Sequence, residues 1–341
     1  MSFADTENKA TIRRLWDRAI LERWRREQKR NTFTYFGLPG PDICDLIDWK
    51  DILDRLRSGA ESLGRTKREQ KKAIEDMGRL STNLFIAGID SGFQLLRGNI
   101  EDIILDGLDH DGNRPQITDG RPALAARFGY DIVNLDFDGG IGYREDNGHA
   151  KRVTAIKKLF ERQEGHSFVL FLTINVRDTM GSEIEDYLRG LQTRDRGAGW
   201  RETIGWYLSR AGGEREYKLK AAVPSFIHVI SEARVFQCTS RPPIAYVGHK
   251  QAHMIHFAFE LEAVVSNGRL NNLRGFSSQD DPDLIELPLL RCQNGQLQIA
   301  SMQHPGFDYA CCGVNLGFLP EETRASILAP IDNRTTSEMQ R

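Results

Sequence analysis

The chain has 341 residues, 40% hydrophobic and 28% charged, with 46 Lys and Arg against 48 Asp and Glu. That composition fits a globular protein of one large or two smaller domains, and a net charge of −2 points to no class of partner. The absence of any run of about 18 apolar residues excludes a membrane-spanning helix; the opening MSFADTENKATIRRLW lacks a secretory core; five cysteines form no disulfide framework, so a reduced, cytoplasmic protein is expected.

In chain order, residues 8–30 predict a helix. Ile12, Leu15, Trp16, Ala19, Ile20 and Trp24 recur at three- and four-residue spacing, which makes one apolar stripe. The other face carries Arg13, Arg14, Arg18, Arg23, Arg25, Arg26 and Arg30. Such a face is either solvated or turned toward phosphates or a partner. TFTYFGL (32–38) reads as a strand, and PGPD stops it. Pro41 and Asp42 suit a helix start, continued by ICDLIDWKDIL. Residues 52–61 are ambiguous, with a short strand ending near Glu61 as one reading. A charged helix is predicted over 66–80, strands over 83–89 and 93–100, and a polar loop over 105–121.

YDIVNLDFDGG (130–140) has an unbroken apolar centre that fits a strand buried on both faces. A glycine-rich loop follows, then a helix over 149–163 and the strand HSFVLFLTINV over 166–176. Strand, helix, strand at this spacing is a right-handed βαβ unit. Helices are predicted over 182–191, 200–210 and 216–236, the last kinked or divided at Pro224. Residues 243–250 and 253–265 suggest a hairpin, IELPLL and LQIAS short strands, and 331–341 a flexible tail. The resulting organisation is an N-terminal basic amphipathic helix (1–30), an α/β domain (31–265) with a helical insert (181–236), and a C-terminal extension (266–330).

Alternation of strand and helix argues for a doubly wound, mostly parallel α/β sheet, in which ligands bind beyond the carboxyl ends of the strands. Five parallel strands followed by a C-terminal antiparallel pair, with FGLPGPD, SGAES, RGNIEDIIL and NLDFDGG at the strand ends, resemble class I S-adenosylmethionine-dependent methyltransferases over about residues 32–265. The resemblance implies a Rossmann-like fold with S-adenosylmethionine as cofactor. It implies that Gly37, Gly40 and Asp42 at the first strand end, Glu61 at the second, and Asn99 and Glu101 at the third hold that cofactor. It further implies that Asp136, Phe137 and Asp138 form the catalytic tip, where an acid and an aromatic receive an exocyclic amine. Two departures stand out: prolines flank the glycines of FGLPGPD, and the tip lacks a proline while Asp138 is additional.

Two alternatives remain. Asp136 and Asp138 could hold a divalent cation through oxygen ligands. His249, His253 and His256 have zinc-like spacing but lie on predicted strands. Cys44, Cys238, Cys292 and the adjacent Cys311 and Cys312 make no CxxC pair, and His304 precedes the last two. No Walker A or G-x-S-x-G motif is present. Basic runs at 65–72, 151–158 and 189–201, with Trp200 and Trp206, read as ordinary helix faces or as a nucleic-acid surface. The expected function is therefore methyl transfer on nucleic acid. The alternative is a catalytically silent subunit that binds protein partners in a larger assembly, for instance a bacterial defence system.

Overall fold

The computed structural model describes residues 5–61, 66–117, 121–122, 128–142, 150–176, 182–192, 198–209, 215–264, 287–300 and 316–338. His304, Cys311, Cys312 and the Trp200 side chain lie outside them.

Five parallel strands form the centre of the main sheet: β1 (Phe33–Gly37), β2 (Leu53–Glu61), β3 (Phe93–Arg97), β6 (Ile132–Asp136) and β7 (Phe168–Asn175). The small ribbon of β4 (Gln116–Ile117) and β5 (Arg121–Pro122) stands apart. Antiparallel β10 (His253–Ala263) pairs with β7, and β9 (Ile244–Val247) pairs with β10. The order is β3-β2-β1-β6-β7-β10-β9, extended by β11 (Leu290–Gln293) and β12 (Gln296–Ile299). This is the doubly wound sheet with a terminal antiparallel pair that the element order implied. The short strands expected at IELPLL and LQIAS begin five residues late and one residue early, as β11 and β12.

The period of two along each strand separates the two faces. Phe36, Val133, Leu135, Leu170 and Leu172 enter one core layer with α5 (Ile100–Asp106), α6 (Lys151–Arg162) and α9 (Arg215–Ala233). Phe33, Tyr35, Ile132, Val169 and Phe171 enter the other with the N-terminal helix. That helix runs as α1 (Glu7–Thr11), a π-helical segment (Ile12–Asp17) and α2 (Arg18–Glu27). Its stripe residues Ile12, Trp16, Ile20 and Trp24 are buried against the sheet. Its arginines serve the same docking. Arg13 bonds Asp5 at 2.9 and 3.0 Å and also Asp48, Arg18 bonds Asp51, Arg23 bonds Glu260, and Arg30 bonds Asp131. The face expected to be solvated or phosphate-facing is thus largely committed to internal carboxylates.

Several elements differ from expectation. Residues 83–89 are not a strand: α4 (Lys67–Ala87) runs through them and stops at Gly88, whose φ of 65° makes a left-handed cap. A capping box at Thr66 and Glu69 starts this helix. No breaker lies between Leu80 and Ala87, so propagation carries the apolar run along as helix. The helix after β1 is only α3 (Cys44–Asp48), because the chain turns at Trp49 into the nine-residue β2. The helix predicted over 216–236 ends at Ala233, and β8 (Phe236–Ser240), which was not predicted, pairs with the far half of β10. Pro224 stays inside α9 without dividing it. The insert contributes α7 (Ser182–Gln192) and α8 (Ala198–Ser209). The expected tail begins inside α10 (Glu321–Glu338). Among the described residues no helix is long and apolar enough to cross a membrane.

Candidate functional site

Because the five central strands are parallel, their carboxyl ends meet at one edge. The register aligns Gly37 with Gly59 and Asn134, Glu61 with Arg97, and Asp136 with Thr173. A cleft of about 820 Å³ opens there. Gly40, Asp42, Glu61, Asn99, Glu101, Asp136, Phe137 and Asp138, assigned from the sequence to four separate strand ends, all line it.

Gly37 does not line the cleft. A Cβ on it would stand 2.5 Å from the Asn134 carbonyl oxygen and 2.7 Å from the Tyr35 hydroxyl. The close approach of β1 to β6 therefore accounts for this glycine. Gly40 does line the cleft, at a φ of 63° that an L side chain rarely adopts. Beyond it, Ile43 has a φ of 47° and a ψ of 30°, an outlier for a β-branched residue. Its buried side chain and the short α3 hold the turn in this strained form, a state that concentrates at ligand sites.

At the β6 tip, Asp136 is paired with Lys9 of α1. Burial works against the Lys9 charge, but Asp136 beside it overrides this and raises the ammonium above its ordinary value. Asn134 donates to Asp45 at 2.6 Å. Burial lifts the Asp45 carboxyl from 3.8 to about 6, opposed by Arg13 and Lys9 and helped by Asp136. Phe137 is buried under the Arg152 guanidinium, 4.5 Å from its centroid. Arg152 also donates to Glu101 at 3.1 Å and to the Gly140 carbonyl at 2.8 Å, and lies 3.6 Å from Asp138. At the β2 tip, burial raises Glu61 from 4.5 to about 7, with Asp76 adding to the shift and Lys72 opposing it. Cys44, also at the cleft, is pushed up to about 11 by burial and stays a thiol.

These two carboxyls have a measurable consequence. Each holds its proton more tightly folded than unfolded, so each lowers stability as pH rises from about 4 to 7, and the loss is complete above that range. The double variant Asp45→Asn, Glu61→Gln should gain thermal stability relative to the parent over that interval. Parallel melting-temperature profiles from pH 4 to 8 would contradict the assignment.

Of the remaining sequence candidates, His249, His253 and His256 do not line the cleft, whereas Lys72, Lys151 and Arg152 of the basic runs do. His256 accepts or donates with Asp17 and Thr173, each at 2.9 Å, and so anchors the N-terminal helix to β10 and β7. Among the described residues no three His, Cys, Asp or Glu side chains form a metal-ligand group. In the basic runs, Lys72 pairs with Asp76, Lys151 with Asp102, Lys158 with Glu161 and Arg189 with Glu185. Trp206 packs edge-on to Tyr207 and Tyr217. Lys9 and Asp45 are among the cleft residues that sequence reasoning missed, and it saw Arg152 only as part of a basic run.

A family model described as PP_RS20740-like matches residues 13–188, just over half of the chain. The chain belongs to the PP_RS20740-like family. The matched span runs from the π-helical segment into α7, so in this PP_RS20740-like protein it takes in the docked helix, the five parallel strands and most of the cleft; Lys9 lies just ahead of it. No curated protein matches the chain. Solved structures similar to this PP_RS20740-like chain include an O-methyltransferase from Bacillus cereus in complex with S-adenosylhomocysteine, at 9% identity over 76% of this chain and 84% of that one, TM-score 0.38. The O-methyltransferase TomG from Streptomyces achromogenes, in complex with S-adenosylmethionine, is 13% identical over 77% and 92%, TM-score 0.36. Magnesium protoporphyrin IX methyltransferase from Synechocystis, with bound S-adenosylhomocysteine, is 10% identical over 76% and 91%, TM-score 0.35. Superposition at these scores is partial. The class I methyltransferase type of the fold rests on the strand order of this PP_RS20740-like chain itself: five parallel strands, then β10 antiparallel and β9 beside it.

Proposed function

We propose that the protein is an S-adenosylmethionine-binding methyltransferase, with its cofactor across the tips of β1, β2 and β3 and its acceptor end at β6. The observation that carries this reading is the charge of the cleft wall: ten Asp and Glu side chains against five Lys and Arg. Such a wall repels the phosphates of a nucleotide cofactor and favours a nucleoside bearing positive charge. The donor set fits. Glu61 would accept from ribose hydroxyls, the Asn99 amide would face the base, and Gly40 would let the backbone approach closely. When bound, the cofactor supplies an electrophilic methyl group on a positively charged sulfur. Asp136 would accept a hydrogen bond from an incoming amine, orient its lone pair and take its proton.

Nucleic acid remains the acceptor class most consistent with the acid and aromatic pair at the tip. A single unstacked base would enter, while Lys67, Arg68 and Lys71, exposed at the start of α4, would meet phosphates at the rim. A second reading, a silent binding subunit, is favoured by the Lys9–Asp136 pair and by the Arg152 cover on Phe137.

Calorimetry with S-adenosylmethionine tests the first reading. Micromolar binding is expected, and no heat at millimolar ligand would end it. Methyl transfer to oligonucleotides that disappears in Asp136→Ala would separate the active reading from the silent one.

A further inference from the structure

The feature that the proposed function leaves unexplained is the outer face of α4. Ala73, Leu80 and Leu84 form the buried side of this helix. About a third of a turn away, Ile74, Gly78, Ser81 and Phe85 recur at spacings of four, three and four, and all are exposed. That is the spacing of a seam that meets another helix. Its two large apolar members, Ile74 and Phe85, are 66% and 73% exposed. Between them Gly78, the poorest helix former after proline, sits in the interior of a 21-residue helix. A Cβ on it would meet nothing within 4 Å, so packing among the described residues does not demand the glycine. Close approach of a backbone from outside does. The charges of α4 also run against its own dipole. Lys67, Arg68, Lys71 and Lys72 crowd its amino end with Glu69, and its last turn holds no basic residue. Cations are unfavourable at an amino end and favourable at a carboxyl end. Lys72 is offset by Asp76, and Lys50 reaches the Ala87 carbonyl. Lys67 and Lys71 continue the exposed stripe, and exposed Asp90 follows the far end of the helix.

We infer that this stripe is a self-association surface, on which α4 pairs antiparallel with α4 of a second copy of the chain across a two-fold axis. A second copy fits better than a different protein because the stripe is self-complementary. A two-fold contact requires that residue i meet j and that j meet i. Ile74 and Phe85 lie equally far from the midpoint between Arg79 and Leu80. Each Ile74 therefore meets Phe85 of the second copy, while Gly78 and Ser81 meet at the crossing and let the backbones approach. The same alignment sets Lys71 opposite Gly88 and Lys67 near Asp90 of the second copy, so the misplaced cations face a carboxyl end and an acid. Lys67 and Lys71 also belong to the proposed phosphate rim, so nucleic acid and the second copy compete for this end of α4. One helix pair is a small interface, which makes the dimer a weak one.

Sedimentation equilibrium of the full chain across about 1–500 µM is expected to give a dissociation constant of about 10–100 µM, the range of a small interface. Phe85→Glu should weaken it by more than about tenfold, because a charge then stands against Ile74 at the seam. Phe85 is exposed in the monomer, so this variant keeps the monomer fold. Gly78→Leu should also weaken the dimer by holding the backbones apart. It should leave unchanged or raise the melting temperature of the dilute monomer, since leucine is the better helix former and has room there. Introduced thiols fix the direction of pairing. Ile74→Cys chains mixed with Phe85→Cys chains should cross-link through these positions on oxidation, identified by peptide mass spectrometry. Ile74→Cys chains alone should not cross-link there, because the antiparallel alignment leaves the two copies of that position about 16 Å apart. A chain that stays monomeric across the range, a dimer that both Phe85→Glu and Gly78→Leu leave intact, or cross-linking between two Ile74→Cys positions would overturn the inference. None of these results touches cofactor binding, so the functional reading stands or falls separately.

Discussion

Replacing Trp16 with alanine is expected to cost about 3–5 kcal/mol, the range for truncating a large aromatic in a packed core. Trp16 is fully buried in the layer between the N-terminal helix and the sheet, and it meets Phe318 edge-on at a centroid distance of 4.8 Å. A loss of that size is a large share of the roughly 5–15 kcal/mol that holds a domain folded. The effect should be one of volume. The indole N–H has no hydrogen-bond partner among the described residues, so Trp16→Phe, which deletes an unsatisfied donor and keeps most of the ring, should cost much less. Urea unfolding of both variants measures this. Equal losses would mean that the N–H matters, and a negligible loss for Trp16→Ala would mean that the helix is not docked.

The parts of this architecture that the sequence displays are those with local causes. β6 and β7 are buried on both faces, and their mostly apolar runs, broken in β6 by Asn134, say so. The stripe of the N-terminal helix predicts a docked face, and the burial of Trp16 and Trp24 agrees. Strand-end candidates could be named because element order alone sends them to one edge. What stayed hidden depends on distant partners. Lys9 is an unremarkable lysine until Asp136, 127 positions later, is folded beside it. Arg152 reads as part of a basic helix face, yet it is buried between Glu101, Gly140 and Phe137. Residues 83–87 mislead for the opposite reason. Their apolar run imitates a strand, but Phe85 and Ile86 are 73% and 75% exposed on a helix, so neither periodicity nor burial marks what they are. Gly37 shows the limit of a motif argument: its position suited a cofactor turn, while the neighbouring strand alone demands its missing side chain.

Glu61→Gln is expected to weaken binding of adenosyl ligands by about 10- to 100-fold, because a carboxylate accepting from two ribose hydroxyls is replaced by an amide with one acceptor atom. The pH dependence makes this test specific. Burial holds the free Glu61 carboxyl near 7, so at neutral pH about half of the sites carry the proton. Hydroxyl donors favour the ionised form, so affinity in the parent should rise between pH 6 and 8, with proton release on binding. The Gln variant has nothing to titrate there and should bind weakly with a flat profile. A 2′-deoxy ligand completes a double-mutant cycle. Removing the hydroxyl should cost the parent dearly and the variant little, because in the variant the carboxylate partner is already gone. Additive losses would place the ribose away from the β2 tip, and the adenosyl assignment of the cleft would then have to give way, since Glu61 is the acid that the strand order brings to that position.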